Sequence, residues 1–189
     1  MTSTTRRTMI VALPVALLGC QPVPPPSAEA IADAERLQKR AAADAARSQA
    51  FFSASFKDFE RRMQPLAQYQ GKTVVAYFWA TWCKPCVAEV PMLKDLQARW
   101  RGRGVVLVGI AIDNADKVQA FVREHGIEYP VLIGGNDAYE LSMTLGNLVK
   151  AVPFFALFDR NGRFSTRFVG EVKGEDLERA LAAAAGAAS

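Results

Sequence analysis

The sequence predicts an α/β domain, a sheet with helices packed on it, and three stretches carry that expectation. Residues 73–79, Thr-Val-Val-Ala-Tyr-Phe-Trp, form a β-branched and aromatic run that reads as a buried strand. Residues 87–100 then show Val90, Leu93, Leu96 and Trp100 at spacings of three, three and four, which is one face of a helix. Residues 105–112, Val-Val-Leu-Val-Gly-Ile-Ala-Ile, are nearly all apolar, as a parallel strand covered on both faces must be. Between the first strand and the helix stand Cys83, Lys84, Pro85 and Cys86. Unpaired backbone N–H groups and the positive end of a helix dipole favour a thiolate at such a junction. Pro85 fits the first helical turn because its missing N–H would have had no intrahelical partner.

Phe78-Trp79-Ala80-Thr81-Trp82-Cys83-Lys84-Pro85-Cys86 resembles the active-site segment of the thioredoxin superfamily. The continuation Glu89-Val90-Pro91 is similar to the membrane-tethered TlpA/ResA-like branch, which includes the cytochrome c maturation thioredoxins. The resemblance implies a thioredoxin-like fold: a central mixed β-sheet flanked by helices, with a TlpA-type strand–helix insertion. It also implies a redox disulfide between Cys83 and Cys86. Other readings of the pair fare worse. Zinc takes about four ligands, whereas the chain has one His and three Cys in all. Haem attachment needs a His directly after the second Cys, where Val87 stands. An inert disulfide leaves the flanking Trp and Pro unexplained. No metal site and no cofactor are expected.

The formal net charge of +4 is mild and no basic block stands out, so nothing argues for nucleic acid as a partner. Residues 1–19 read as a lipoprotein signal peptide, with Arg6 and Arg7 ahead of a short apolar stretch. Leu17-Leu18-Gly19-Cys20 resembles a bacterial lipoprotein cleavage box, which makes Cys20 the lipid-bearing first residue and places the chain outside the cytoplasm, anchored to a membrane. Residues 20–50 read as a spacer and stalk: Pro22, Pro24, Pro25 and Pro26 stiffen its start. Ala, Glu, Arg and Lys then favour a helix whose larger aliphatics are only Ile31 and Leu37. That helix is expected to be solvated, a partner-binding or coiled-coil role being the rival reading.

The thioredoxin-like domain is expected over 51–189. Phe51, Phe52, Phe56, Phe59, Met63 and Leu66 are spaced as in one or two amphipathic helices. Related domains often carry a β-hairpin there, but little alternation supports one. Asp113, at the carboxyl end of the strand over 105–112, is expected to cap the next helix. That helix covers 117–125 and closes on His125, read as a cap. A strand over 129–133, a helix over 137–145, a hairpin turn at Asp159-Arg160-Asn161-Gly162 and a last helix over 175–185 complete the domain.

Val152-Pro153-Phe154 looks like the superfamily's cis-proline loop. The resemblance places Pro153 opposite the dithiol and has the backbone of Val152 pair with an incoming polypeptide. Trp82 and Phe154, with Pro85, would flank the sulfurs as a docking surface. Cys83 is the expected nucleophile and Cys86 the resolving thiol. Lys84 reads either as a charge beside the thiolate or as an exposed solubilising side chain. Glu89 matches the family's acid three residues after the second Cys and is expected to shift a thiol pKa or relay a proton. Tyr77 stands where plain thioredoxins carry a buried Asp, which leaves the proton path open. The resemblance implies a reductase of selected protein disulfides, apocytochrome c first, fed by a membrane electron donor of the thiol-relay type. A disulfide oxidase or isomerase, or a non-catalytic binding module, are the rivals.

Overall fold

The computed structural model describes residues 27–186, so Cys20 and the signal segment lie outside the described residues. Five α-helices and seven strands follow in chain order. They are α1 (Ala28–Ser53), β1 (Ser55–Lys57), β2 (Met63–Pro65), β3 (Thr73–Trp79), α2 (Lys84–Trp100), β4 (Val105–Ala111), α3 (Ala115–His125), β5 (Val131–Ile133), α4 (Gly135–Thr144), β6 (Phe154–Phe158), β7 (Phe164–Val169) and α5 (Gly174–Ala185). One seven-stranded sheet runs in the order β2-β1-β5-β4-β3-β6-β7. β3, β4 and β5 are parallel, and β6 runs antiparallel to β3. The sheet is mixed, as expected.

β3 lies at the centre, and all seven of its residues are buried. Because successive side chains point to opposite faces, it feeds two cores. Val75, Tyr77 and Trp79 pack with α2, Val118 and Phe121 of α3, and Leu177 and Leu181 of α5. Val74, Ala76 and Phe78 pack on the other face with Phe51, Leu66, Leu141 and Leu145. The near-continuous apolar run is therefore the signature of a strand covered twice. The β3–β4 register pairs Trp79 with Ala111, so both strands deliver their carboxyl ends to one edge of the sheet.

The stretch 51–71 is not the expected amphipathic helix. α1 passes through residues 50 and 51 without a break and stops at Ser53; β1 and β2 then pair as an antiparallel hairpin. Asp58 builds the turn: its Oδ1 accepts from the N–H groups of Glu60 and Arg62, each at 2.9 Å. Its Oδ2 accepts from Arg62 Nε at 3.0 Å and Gln64 Nε2 at 2.7 Å. Three-residue strands that bury only Phe56 between them are too short to display alternation. The aromatic spacing there matched a helix by coincidence.

α1 is about 39 Å long at ~1.5 Å per residue, and its first half is solvated, with Ile31 and Leu37 exposed. Its last two turns dock on the sheet. Ser48 Oγ accepts from Phe164 N–H at 2.8 Å, the Arg47 guanidinium lies 5.2 Å from the Phe164 ring centroid, and Phe51 stacks on Phe158 at 4.3 Å. α3 ends at His125 as expected, and Gly126 follows it as the C-cap in the left-handed region, φ 57°. His125 keeps Nδ1 3.1 Å from the Phe121 carbonyl, in the last turn of the helix. Its start departs from expectation, since the N-cap is Asn114, whose side chain accepts from Asp116 N–H, and not Asp113.

Candidate active site

Cys83 and Cys86 form a disulfide where β3 gives way to α2. Cys83 is the N-cap of α2: its backbone is extended, φ −83° and ψ 100°, and its Sγ accepts from Cys86 N–H at 3.2 Å. A sulfur placed at free helix N–H groups is stabilised as an anion. Pro85 sits in the first turn, where its lack of an N–H costs nothing. Cys83 is 4% exposed and Cys86 0%, so what little access exists is to Cys83. Trp82 beside it is 65% exposed, and Lys84 faces solvent.

Glu89 lies on the inward face of α2, one turn beyond Cys86, and is only 7% exposed. Its Oε1 accepts from Val172 N–H at 3.0 Å, while Oε2 has no partner among the described residues. Burial pushes this carboxyl from its ordinary 4.5 up to about 7, against the pull of the Val172 N–H and with a further push from Glu171. Tyr77 is fully buried, and its hydroxyl donates to the Cys86 carbonyl at 3.1 Å. Burial, then the nearby Glu89 carboxyl, hold the phenol well above its ordinary range, so it stays protonated at neutral pH.

Val152–Pro153 is a cis peptide, as the resemblance implied. Phe154 opens β6 opposite Phe78 near the end of β3, which brings this loop to the edge where β3 delivers Cys83. Val152 packs against the core cluster that contains both cysteines. Phe154 does not share that surface: it is fully buried in the opposite core, its ring 5.7 Å from that of Phe78. Strand alternation sends its side chain to the far face of the sheet, so the docking role expected of Phe154 is withdrawn.

Asp113 is a site residue that sequence reasoning placed wrongly. Its Oδ2 accepts from Thr81 N–H at 3.2 Å and from the Thr81 hydroxyl, and its Oδ1 accepts from Asn114 N–H at 2.7 Å. It thereby clamps the loop that leads into Cys83. The available signal was topological: two adjacent parallel strands end side by side, so a carboxylate just past one meets the loop just past the other.

Thiol–disulfide exchange needs an accessible sulfur poised as thiolate, a second thiol within bonding reach and a proton acceptor near neutral pH. Comparison with known proteins agrees. The family model described as Redoxin matches residues 53–184. The thiol-disulfide oxidoreductase ResA of Bacillus thuringiensis (strain Al Hakam) is 33% identical over 122 residues, covering 64% of this chain and 68% of the relative. ResA of Geobacillus kaustophilus is 30% identical over 145 residues, covering 76% and 79%. Among solved structures, a thiol:disulfide interchange protein of the thioredoxin family from Chlorobium tepidum TLS superposes with TM-score 0.60 at 29% identity, covering 70% of this chain and 92% of its own. A cysteine pair capping a helix at the head of a central strand, in a chain matched along most of its length by such relatives, makes this protein a member of the redoxin family, a thiol–disulfide oxidoreductase of the ResA type on a thioredoxin-like fold.

Proposed function

We propose that the protein reduces selected protein disulfides outside the cytoplasm, in the manner of cytochrome c maturation. It would be held to a membrane by lipid on Cys20 and kept at a distance by the Pro-rich spacer and the solvated half of α1. The Cys83 thiolate attacks one sulfur of the partner's disulfide, forming a mixed disulfide and releasing the partner's other sulfur as a thiolate that takes a proton. Cys86 then loses its proton to Glu89 and attacks Cys83 Sγ, closing Cys83–Cys86 and releasing the second partner thiol. The partner gains two electrons and two protons, and a membrane dithiol donor returns the protein to its reduced form. Trp82 and the Val152 backbone receive the partner chain, Pro153 holds that loop in place, and Lys84 adds positive charge at the rim. Apocytochrome c is the first candidate substrate.

The observation that carries this reading is the Cys83–Cys86 disulfide with Cys83 Sγ at the N–H end of α2. Its test has two parts. Cys86→Ser should accumulate a mixed disulfide through Cys83, whose partner mass spectrometry identifies, whereas Cys83→Ser should accumulate none. The reduction potential of the full chain against glutathione should lie near the thioredoxin value of about −270 mV. A value near about −120 mV, that of a strong disulfide oxidant, would overturn the reductase assignment.

A further inference from the structure

We propose that the cationic groove between α1 and β7 is a docking site for an extended, acidic segment of the partner polypeptide, beside the loop that receives the partner at Val152. The inference rests on the oxidoreductase reading for what the partner is, while the groove and its charge do not depend on it.

The groove has a volume of about 640 Å³. Arg36, Lys39, Arg40 and Arg47 of α1 and Arg167 of β7 line it, against one carboxylate, Asp44. That carboxylate is already engaged, 2.6 Å from Arg47 and 4.0 Å from Arg40. Arg36 has Asp33 at 3.3 Å, an exposed pair of little worth. Lys39 and Arg167 are exposed and have no carboxylate partner among the described residues. Like charges crowded along one hollow repel one another and raise the local concentration of anions. Because α1 and β7 are distant in the chain, no basic block marks this site in the sequence.

The shape selects among anions. The cations are strung out and do not converge on a point: Arg36 to Arg47 covers about 16 Å of helix at ~1.5 Å per residue. β7 covers about 20 Å at ~3.4 Å per residue, the length of five or six residues of extended chain. Carboxylates on alternate residues of such a chain fall on one side, toward α1. Its other residues meet the half-buried Phe164 and Val169, which is 42% exposed. β7 is also the last strand of the sheet, so no other strand takes the backbone groups on its outer side. A lipid surface meets a protein's projecting faces, whereas these side chains line a hollow between helix and strand.

The groove ends beside the site. Val169 pairs with Phe154, and Gly170 N–H donates to the Pro153 carbonyl at 2.8 Å, which ties this end of β7 to the cis-proline loop. Arg167 touches the same loop at its start. A Cβ on Gly146 would come within 2.8 Å of Arg167 Nε, and Gly146 opens the segment that runs to Val152. A chain received at Val152 therefore has the groove as its continuation along β7.

The test is fluorescence anisotropy of the oxidised full chain with a labelled, cysteine-free peptide of alternating Glu and Val. The acidic peptide should bind, more weakly as salt is added, and its Lys-Val counterpart should not. Lys39→Glu and Arg167→Glu should each weaken binding by about tenfold, attraction having become repulsion. Lys117→Glu makes the same charge change at an exposed position of α3 outside the groove and should leave binding as it was. Should Arg167→Glu not fold, Lys39→Glu serves, since it alters only a solvated helix position. With a peptide that carries a disulfide after the acidic stretch, Lys39→Glu should raise KM rather than lower kcat. Equal binding of the acidic and basic peptides, an equal loss in Lys117→Glu, or an unmoved KM would overturn the proposal. So would soluble short-chain phosphatidylglycerol binding at Lys39 and Arg167 where the acidic peptide does not, which would give the groove to a lipid headgroup. The cysteine-free peptide reads no exchange, so its failure is separate from failure of the mixed-disulfide test.

Discussion

Two carboxylates attend the dithiol, Glu89 beneath it and Asp113 beside the loop that leads into it, and their surroundings are opposite. Glu89 is buried and receives a single backbone N–H, with its second oxygen bare among the described residues. Asp113 is half-buried and receives two N–H groups and a hydroxyl, all from residues on either side of the β3–β4 edge. The number of donors that the fold aims at each group separates them. Asp113 has enough to be a structural clamp, whereas Glu89 has too few to hold its charge cheaply and titrates near pH 7 instead. The same residue chemistry thus yields a fastener in one place and a proton-exchanging group in the other.

The comparison breaks first if Glu89 fails to cost stability when ionised. Its carboxyl is raised in the folded chain from 4.5 to about 7. The folded state therefore binds more protons than the unfolded state across that window. Stability is full below about pH 4.5, falls as pH rises to 7, and is level above it, with a total change on the order of 3 kcal/mol. Glu89→Gln should remove this slope and leave the variant more stable than the unaltered chain above pH 7. Urea unfolding at pH 4.5 and pH 8 checks it, and parallel curves for the two proteins would refute the assignment.

The next effect should come from Asp113. Asp113→Ala leaves the Thr81 and Asn114 donors unpaired, and a loss of about 2 kcal/mol is expected, or roughly 4–8 °C in Tm. Unlike Glu89→Gln, the loss should be of similar size at pH 6 and pH 8, because the donors go unpaired at either pH. A calorimetric series over that range separates clamp from titrating group. Trp82→Ala sets the baseline. The side chain is 65% exposed, so stability should change by less than about 0.5 kcal/mol. Exchange with a disulfide-bonded polypeptide should nevertheless slow several-fold, while exchange with a small disulfide should barely change. Stopped-flow rates with both substrates would show it.

The cysteine pair, its place between strand and helix, the double burial of β3 and the end of α3 at His125 were legible because each depends on residues adjacent in the chain. Short-range rules of period, cap and turn suffice for them. The same rules misread 51–71, where a hairpin of two three-residue strands owes its shape to Asp58 reaching four backbone and side-chain donors and to β1 finding Ile133 of β5 across the sheet. The family resemblance likewise assigned Phe154 to the dithiol, whereas the register of β6 against β3 turns it to the opposite core.

By itself the sequence determined that this protein carries a thiol pair at a helix start on an α/β scaffold, since sulfur spacing and strand–helix succession are properties of a few consecutive residues. Only the tertiary structure decided how protons are managed around that pair. Glu89 titrates where it does because β3 and the Val172 segment close over it, Tyr77 reaches the Cys86 carbonyl because the sheet sets its ring beneath α2, and Asp113 clamps Thr81 because two parallel strands end together. Donor counts and burial at each carboxylate are sums over residues distant in sequence, which no local pattern contains.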